Sequence, residues 1–387
     1  MLSKRLSKRK VCVVITNRAN YARIKHFLYK AKKSSKIDLQ IILSGSALIH
    51  RFGDIESLIE KEGLTINAKA YFLLEGGNAV TQAKSTGLAI IELTNIFQKL
   101  NPDIVLTVGD RYETMATAIA STYSNIFLAH IQGGEVSGNL DENVRHSITK
   151  LSHLHFATTK KSRNRILKLG EEKSRVFHTG CPSIDLITSS TTKMNKKFFN
   201  NIGSLGEKVD YRKPYILAVN HPLSTDIKSN KSNAKIFLDA LSKRKEQIIY
   251  LWPNPDAGTD FVSKKIREFR EYKKQSSFTF LVNVSPEDYI TLLSNASCLV
   301  GNSSSFIREG SKLGKPALII GERQNNREVG KNVMRASYNV NEINQKIDIQ
   351  INKKYLSENI YGDGKASEKI LKIIEKIELN ILKKITY

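Results

Sequence analysis

Short β-branched runs alternate along this chain with longer segments whose apolar residues recur at helical spacing. The first half contains six such runs: Val11–Thr16, Leu39–Gly45, Ile104–Gly109, Ile126–Ile131, Leu154–Thr159 and Val176–Gly180. The intervals carry helical periodicity, for example over Tyr21–Lys32, Ala83–Leu100, Tyr112–Thr122 and Lys161–Leu169. Continuous apolar strands that alternate with helices predict a parallel sheet covered on both faces.

A second series of strands begins after a polar stretch, Thr188–Lys213, that has little strand character. It comprises Tyr215–Asn220, Gln247–Trp252, Phe278–Val282, Cys298–Gly301 and Ala317–Gly321, with helical segments that include Ile236–Arg244 and Asp260–Lys273. A chain of 387 residues is too long to fold around one ordinary hydrophobic core. We therefore predict two doubly wound, Rossmann-like α/β domains. Their expected bounds are 1–187 and 188–365, and a helix within 366–387, strongest over Ala366–Lys384, is expected to pack back on the first domain.

Ligands of doubly wound sheets bind outside the carboxyl ends of the strands. Two such domains facing each other bring two sets of strand ends together across one central cleft. The residues that directly follow each predicted strand are therefore the candidates for chemistry.

Two segments of the first domain place arginine and aspartate at strand ends. Arg18 follows the first strand and could bind a phosphate beside the next helix, or it could be a solvated loop residue. Asp110 and Arg111 follow the buried strand Ile104–Gly109. Capping of the next helix would explain Asp110 as well as catalysis does, and Arg111 could simply be an ion-pair partner.

The segment after strand Ile126–Ile131 is the stronger candidate. Gly133 and Gly134 would let the backbone approach a ligand closely and deliver Glu135 into the cleft, although an ordinary turn is the alternative. A charged helical segment follows at once, and a solvated helix face is the usual fate of such a run. Its proximity to the glycine turn favours a site that includes Asp141, Glu142, Arg145 and His146.

In the second domain, Gly301–Ser305 follows a strand and leads into a helix that carries Glu309. Backbone N–H groups and the hydroxyls of Ser303 and Ser304 could cradle a diphosphate, and Glu309 could accept from ribose hydroxyls. A serine-rich helix cap is the alternative. Three further polar residues at strand ends strengthen the prediction of a binding wall: His221, Asn254 and Arg323.

Composition adds a cellular context. No apolar run approaches the roughly 18 residues of a membrane helix, and the apolar segment behind the basic start MLSKRLSKRK is too short for a signal peptide. That start is more simply a solvated arm. The three cysteines, Cys12, Cys181 and Cys298, are far apart and odd in number. We expect buried thiols, no disulfide framework and a cytoplasmic location.

The formal net charge of +24 could indicate binding to nucleic acid or to a membrane surface. The lysines are scattered, however, through helices and through stretches such as Lys228–Lys235 and Lys346–Lys354, without interleaved aromatic residues. We therefore expect neither a nucleic-acid nor a membrane partner. The excess could still help to recruit an anionic nucleotide.

Several carboxylates, a histidine and two cations at one sheet edge suit the removal and delivery of protons at a sugar carbon. Crowding of like charges would keep one acid ionised and another protonated. We expect no metal, since no His, Cys or Asp spacing resembles a ligand set, and no serine-hydrolase chemistry, since the Gly-x-Ser-x-Gly motif is missing from the sequence.

Taken in order, these motifs resemble the hydrolysing UDP-N-acetylglucosamine 2-epimerases of the bacterial sialic and legionaminic acid pathways. The similarity extends from Val11 to about Asn332 and rests on Gly109–Glu113, His130–Glu135, Asp141-Glu142 with Arg145-His146, and Gly301–Ser304 with Glu309 and Arg323-Gln324. It implies a glycosyltransferase-B-like fold, no cofactor and no required metal, a nucleotide-sugar substrate, and a homodimer or homotetramer.

The resemblance also implies a reaction and roles. UDP leaves from C1 with loss of the C2 proton, and water adds to the resulting glycal to release N-acetylmannosamine. The implied catalytic residues are Asp110, Glu135 and Asp141, supported by Glu142, Arg145 and His146. The implied UDP-binding residues are Arg18, Arg111, His221, Asn254, Val284, Ser303, Ser304, Glu309 and Arg323.

Departures from the family pattern leave the substrate open. Asn20 replaces an acid, Ala22 replaces Gly or Ser, and Phe306 replaces a Gly, which we expect to narrow the space near the diphosphate. The stretch Trp252–Gly258 is similar to relatives that act on nucleotide-linked N,N′-diacetylbacillosamine. That UDP- or GDP-linked substrate is the first alternative. A glycosyltransferase would not need the acid cluster, and a non-catalytic binder of phosphate would be hindered by it.

Overall fold

A computed structural model describes residues 8–138, 140–189, 194–195, 198–199, 202–223, 225–254, 257–272, 277–351 and 353–386. The predicted basic arm lies largely outside these residues, as do Pro255 and Asp256 of the Trp252–Gly258 stretch. The chain forms two seven-stranded sheets, each covered by helices. The predicted α/β class with two doubly wound sheets is confirmed.

The first sheet is parallel throughout and has the strand order β3-β2-β1-β4-β5-β6-β7. Its strands are β1 Arg9–Ile15, β2 Ile37–Ser44, β3 Ala68–Ala70, β4 Ile104–Val108, β5 Phe127–Ile131, β6 Leu154–Ala157 and β7 Val176–His178. The central strands β4 and β5 are buried along their whole length, because helices cover both faces. Their carboxyl ends open towards the second domain.

The helices of this half are α1 Arg18–Lys33, α2 Ile55–Lys61, α3 Ala79–Leu100, α4 Tyr112–Tyr123, α5 Leu140–Leu151, α6 Lys160–Lys168 and α7 Pro182–Ser189. Helix α1 begins at Arg18, shortly after β1, and helix α4 follows β4 directly after Asp110 and Arg111. The side chain of Asn17 caps α1 by accepting from the backbone N–H of Asn20. Helix α7 lies between the two sheets and packs on α1.

The second sheet has the order β14-β13-β12-β9-β10-β11-β8. Its strands are β8 Ser204–Gly206, β9 Tyr215–Val219, β10 Gln247–Leu251, β11 Phe278–Leu281, β12 Cys298–Gly301, β13 Ala317–Ile320 and β14 Val333–Ala336, of which β8 is antiparallel. The helices are α8 Asn230–Ser242, α9 Thr259–Tyr272, α10 Pro286–Asn295, α11 Ser304–Leu313 and α12 Val340–Ile351.

Three strands had no counterpart among the predicted runs: β3, β8 and β14. Each is an edge strand of three or four residues and most of its residues are not buried. A short edge strand needs no continuous apolar run, so its sequence carries little signal.

The last helix, α13 Ala366–Ile374, packs on α1, and its Ile370 and Ile374 join the core of the first domain. The predicted continuation of the helix to residue 384 is wrong. Residues after 376 are not helical and bond to the first domain instead. The carbonyl of Ile381 lies 3.0 Å from His153 Nε2, and the N–H of Thr386 donates to the Gly170 carbonyl. These bonds replace the ones that a helix would make.

The three cysteines are buried and unpaired, as expected. Within the described ranges, no helix has both the length and the apolar character needed to cross a membrane.

Candidate functional site

Two adjoining cavities lie between the sheets, at the carboxyl ends of their strands. The larger has a volume of about 880 Å³ and the smaller about 170 Å³. Both are lined by Arg23, Trp252, Asn254 and Arg323, so these side chains mark the boundary between them. The two sets of strand ends therefore meet across one cleft, as the sequence predicted.

The smaller cavity collects eight of the nine predicted nucleotide-binding residues: Arg18, His221, Asn254, Val284, Ser303, Ser304, Glu309 and Arg323. Arg18 comes from the first domain and donates to the carbonyl of Val282 at 2.8 Å. Arg111 lines the larger cavity instead. Its guanidinium forms a two-bonded ion pair with the buried Glu113, at 3.1 Å for each bond, as the ion-pair alternative anticipated.

Asn302 holds the strand ends of the second domain together, and sequence reasoning gave it no role. Its Oδ1 accepts from the backbone N–H of His221 and its Nδ2 donates to the carbonyl of the same residue, each at 2.7 Å. The preceding Gly301 has φ +143°, and a Cβ there would lie 1.8 Å from the Val219 carbonyl oxygen. Only glycine permits this close approach of β12 and β9.

Glu309 on α11 is 5% exposed, and its Oε2 is one of the buried atoms with no hydrogen-bond partner in the described part of the chain. Arg308 Nε, at 3.9 Å, is the nearest cation and is likewise buried without a hydrogen bond. A buried carboxylate oxygen that lacks a donor costs free energy. Both side chains line the smaller cavity, where a ligand hydroxyl or phosphate could bond to them.

The first-domain wall presents Asp110 and Asp141 to the larger cavity. Asp110 forms an ion pair with Arg145 of α5, and the Arg145 side chain is 1% exposed. Arg111, and not Asp110, occupies the N-cap position of α4. The capping alternative for Asp110 is therefore wrong, and the carboxylate is held by a buried cation.

Glu135 was expected to project into the cleft, but among the described residues it lines neither cavity. It is 4% exposed, accepts from Thr158 Oγ1 at 2.6 Å, and pairs with Arg327 of the second domain. Burial opposes its ionisation, yet Arg327 and Arg308 outweigh burial and lower the pKa of Glu135. Glu135 is thus an ionised link between the domains.

The glycines before Glu135 serve packing and not the close approach of a ligand. A Cβ on Gly134, at φ +70°, would lie 2.2 Å from the Ser162 carbonyl oxygen, and one on Gly133 would lie 2.9 Å from Thr149 Oγ1. Helices α5 and α6 press on the turn from both sides. Within the residues that the structure describes, Gly133 and Gly134 line neither cavity, so the predicted close approach of this turn to a ligand is not found there.

Glu142 also bonds to protein groups. Its carboxylate accepts from the backbone N–H groups of Ser137 and Gly138 at 3.0 and 2.7 Å, and it lies 3.6 Å from His146. Burial acts in the opposite direction, but these donors lower the pKa of Glu142. Of the acid group, in which one member is expected to be ionised and another protonated, Glu135 and Glu142 are thus on the ionised side, because each is surrounded by donors or cations.

A cluster of four arginines lies at the cleft, three of them buried, Arg145, Arg308 and Arg327, and one half-buried, Arg23. Burial and the neighbouring Arg308 lower the pKa of Arg23 to about 10. Burial and the other three arginines lower the pKa of Arg145. Sequence reasoning found only Arg145, because Arg23 and Arg308 lie inside amphipathic helices and Arg327 in a loop. The position of Arg308 next to Glu309 was the one available signal.

Two of the three substituted positions, Asn20 and Phe306, are buried. Phe306 is fully buried in the second-domain core with Val219 and Ile307, so the predicted narrowing of the diphosphate space is wrong. Asn20 donates to the Val108 carbonyl at 3.3 Å, and Ala22 lines the smaller cavity.

Comparisons with known proteins agree with this architecture. The sequence profile described as UDP-N-acetylglucosamine 2-epimerase matches residues 29–375. A UDP-N,N′-diacetylbacillosamine 2-epimerase (hydrolyzing) from Legionella pneumophila is 32% identical over 373 residues, 96% of this chain and 97% of that protein. A GDP/UDP-N,N′-diacetylbacillosamine 2-epimerase (hydrolyzing) from Campylobacter jejuni is 32% identical over 336 residues, 86% of each.

Among solved structures, the Methanocaldococcus jannaschii UDP-GlcNAc 2-epimerase in complex with UDP-GlcNAc and UDP superposes with a TM-score of 0.77 at 20% identity. The match covers 94% of this chain and 99% of that one. This likeness supports the glycosyltransferase-B-like arrangement of the two domains.

Proposed function

The chain belongs to the UDP-N-acetylglucosamine 2-epimerase family, and from this premise we propose that it hydrolyses a UDP-linked 2-acetamido sugar with inversion at C2. The observation that carries the proposal is the pairing of two walls across one cleft. Eight of the nine predicted nucleotide-binding residues line the smaller cavity, and Asp110 and Asp141 line the larger cavity beside it.

The diphosphate would lie at the boundary of the two cavities. Arg23 and Arg323 line both, and Arg308 is buried at the smaller one. Arginines that repel one another at short range are stabilised by a bound anion. Negative charge grows on the diphosphate as it leaves C1, so these cations would stabilise the transition state more than the bound substrate.

The sugar would then extend into the larger cavity, towards the first-domain acids. In the first step a carboxylate takes the proton from C2, the C2–H electron pair forms the C1–C2 double bond, and the C1–O bond breaks with its pair on the departing UDP. Asp110 and Asp141 are the candidates for the base. The ion pair with Arg145 favours the ionised form of Asp110 that proton removal requires.

In the second step water adds its oxygen to C1 of the glycal, and a proton is delivered to C2 on the opposite face. An acid on each side of the sugar ring would account for the inversion. Glu135 would act through the arginines that it holds, Arg327 directly and Arg145 through its own carbonyl, which accepts from Arg145 Nη1 at 2.8 Å.

Two substrates fit this chemistry, UDP-N-acetylglucosamine and nucleotide-linked N,N′-diacetylbacillosamine. We favour nucleotide-linked N,N′-diacetylbacillosamine, because the Legionella and Campylobacter relatives, each 32% identical, are named for activity on that sugar. A Neisseria meningitidis UDP-N-acetylglucosamine 2-epimerase is 28% identical over 340 residues and supports the other candidate.

Incubation in deuterated water with each UDP-sugar, and with the GDP-linked bacillosamine, tests the proposal by NMR. Release of the nucleoside diphosphate with deuterium at C2 of an inverted free sugar is the expected result. Release without deuterium at C2 would refute elimination and hydration. Turnover of UDP-N-acetylglucosamine alone would reverse our order of substrates.

A further inference from the structure

His130 lies on β5 beneath the first-domain acids and is fully buried. Its Nε2 is 2.8 Å from the carbonyl oxygen of Gly109, the residue that precedes Asp110. Its Nδ1 is 3.3 Å from Oγ1 of Thr149 on α5. The imidazole therefore joins the β4–α4 turn to α5, the two elements whose side chains form the Asp110–Arg145 ion pair.

The bonding pattern determines the form of the ring. A carbonyl oxygen only accepts, so Nε2 carries the proton and donates to Gly109. Burial lowers the pKa of His130 to about 4, which leaves the ring neutral near pH 7. Its Nδ1 is then an acceptor, and it shares the single proton of the Thr149 hydroxyl with the Arg145 carbonyl, at 3.3 and 3.0 Å. A neutral ring with one donor and one acceptor matches one carbonyl and one hydroxyl.

Both partners of the ring are connected to the ion pair through the backbone. Gly109 directly precedes Asp110, has φ +90°, and its own N–H donates to Ile131 O at 3.1 Å. Thr149 lies one helical turn after Arg145 and bonds to the Arg145 carbonyl at 3.0 Å. A shift of either element would separate the Asp110 carboxylate from the Arg145 guanidinium.

We propose that His130 is a positioning residue, which fixes the Asp110 carboxylate against Arg145 at the wall of the larger cavity, where the sugar would bind. The proposal rests on the proposed function. Within the described chain, His130 lines neither cavity, so it acts through the turn and through α5 and does not touch the sugar.

Three substitutions separate the two bonds of the ring. His130→Gln places an amide N–H near the position of Nε2 and keeps the bond to Gly109. His130→Asn reaches only the position of Nδ1, towards Thr149. His130→Leu fills the space and makes neither bond. His155→Gln is the matched control, because His155 is the register partner of His130 on β6, is equally buried, and bonds to Glu171.

We expect His130→Leu and His130→Asn to lower kcat by about 100-fold through misplacement of Asp110, with KM and the affinity for UDP near wild type. His130→Gln should recover most of the kcat. His155→Gln should lower thermal stability and keep the wild-type kcat. Wild-type kcat in His130→Leu, or a loss in His130→Gln as deep as in His130→Leu, would overturn the proposal.

Crystal structures of the Leu and Gln variants separate this proposal from the proposed function. We expect the Asp110–Arg145 pair to be broken in the first and retained in the second, whichever substrate the enzyme uses. An intact pair in His130→Leu would overturn the positioning role even if no UDP-sugar is turned over by the wild type.

Discussion

The two walls of the cleft are built in opposite ways. On the second-domain wall the candidate groups line the cavity directly, and the Oε2 atom of Glu309 has no donor among the described residues. On the first-domain wall, Asp110, Glu135 and Glu142 are each bonded to an arginine or to backbone N–H groups. The second-domain arrangement can bind a ligand with little rearrangement. In the first-domain arrangement, the acids are bonded into a network that also stabilises the fold.

This difference predicts how substitutions divide between stability, catalysis and binding. Removing an acid from the first-domain wall leaves a buried arginine without its partner, which costs stability as well as chemistry. Removing Glu309 from the second-domain wall removes a ligand contact and the single 3.9 Å ion pair with Arg308, but no hydrogen bond to its Oε2.

Glu135→Gln should have the largest effect. Loss of the charge leaves Arg327 and Arg308 uncompensated, and breaking such a buried pair costs about 3–5 kcal/mol. We expect activity to fall below detection and the free energy of unfolding, measured in urea, to fall by that amount. Thr158→Val is the control, since it removes the 2.6 Å hydrogen bond to Glu135 and keeps the charge. Near-wild-type activity in Glu135→Gln would contradict any essential role.

Asp110→Asn and Asp141→Asn test the two first-domain acids that line the larger cavity. Each should lower kcat by roughly 10²–10⁴-fold, the usual contribution of a general acid or base. The affinity for UDP, measured by calorimetry, should stay near wild type, because neither residue lines the smaller cavity. Asp38→Asn, at the exposed amino end of β2, is the control. A weaker UDP affinity with unchanged kcat would reverse the assignment of the two walls.

Glu309→Gln should act on binding. A hydrogen bond to a charged acceptor contributes about 1.5–3 kcal/mol, so UDP should bind about 10–100-fold more weakly. The unfolding free energy of the unliganded protein should fall less than in Glu135→Gln, since only the 3.9 Å ion pair with Arg308 is lost and Oε2 makes no hydrogen bond. Glu322→Gln, exposed on the loop after β13, serves as the control. Marked destabilisation without a change in UDP affinity would remove Glu309 from the binding wall.

Acidification is the mildest test of the contrast. The pKa values of Glu135 and Glu142 are lowered in the folded protein, so both stabilise it above their usual pKa of 4.5. That stabilisation is lost as pH falls below 4.5 and through the folded values. Urea unfolding between pH 6 and pH 3 should show this loss, and Glu135→Gln should show a shallower dependence. An equal slope in the variant would mean that other groups account for acid sensitivity.

The two walls also differ in how well they could be predicted. Ser303, Ser304 and Glu309 follow a strand and begin a helix, so their place at the cavity follows from local geometry. Glu135 follows a strand in the same way, yet it points at Arg327, which is 192 residues away in the chain. No local pattern encodes that contact.

The sequence by itself determined the strand and helix alternation, the two sheets and the edge at which their functional residues meet, because these depend on apolar periodicity and on where each strand ends. The tertiary structure alone decided which acids face the cavity and which are bonded to buried arginines. It also decided that His130 bonds to the residue before Asp110, and that the last helix ends at Ile374. Those outcomes depend on long-range partners that compete for the same side-chain and backbone groups.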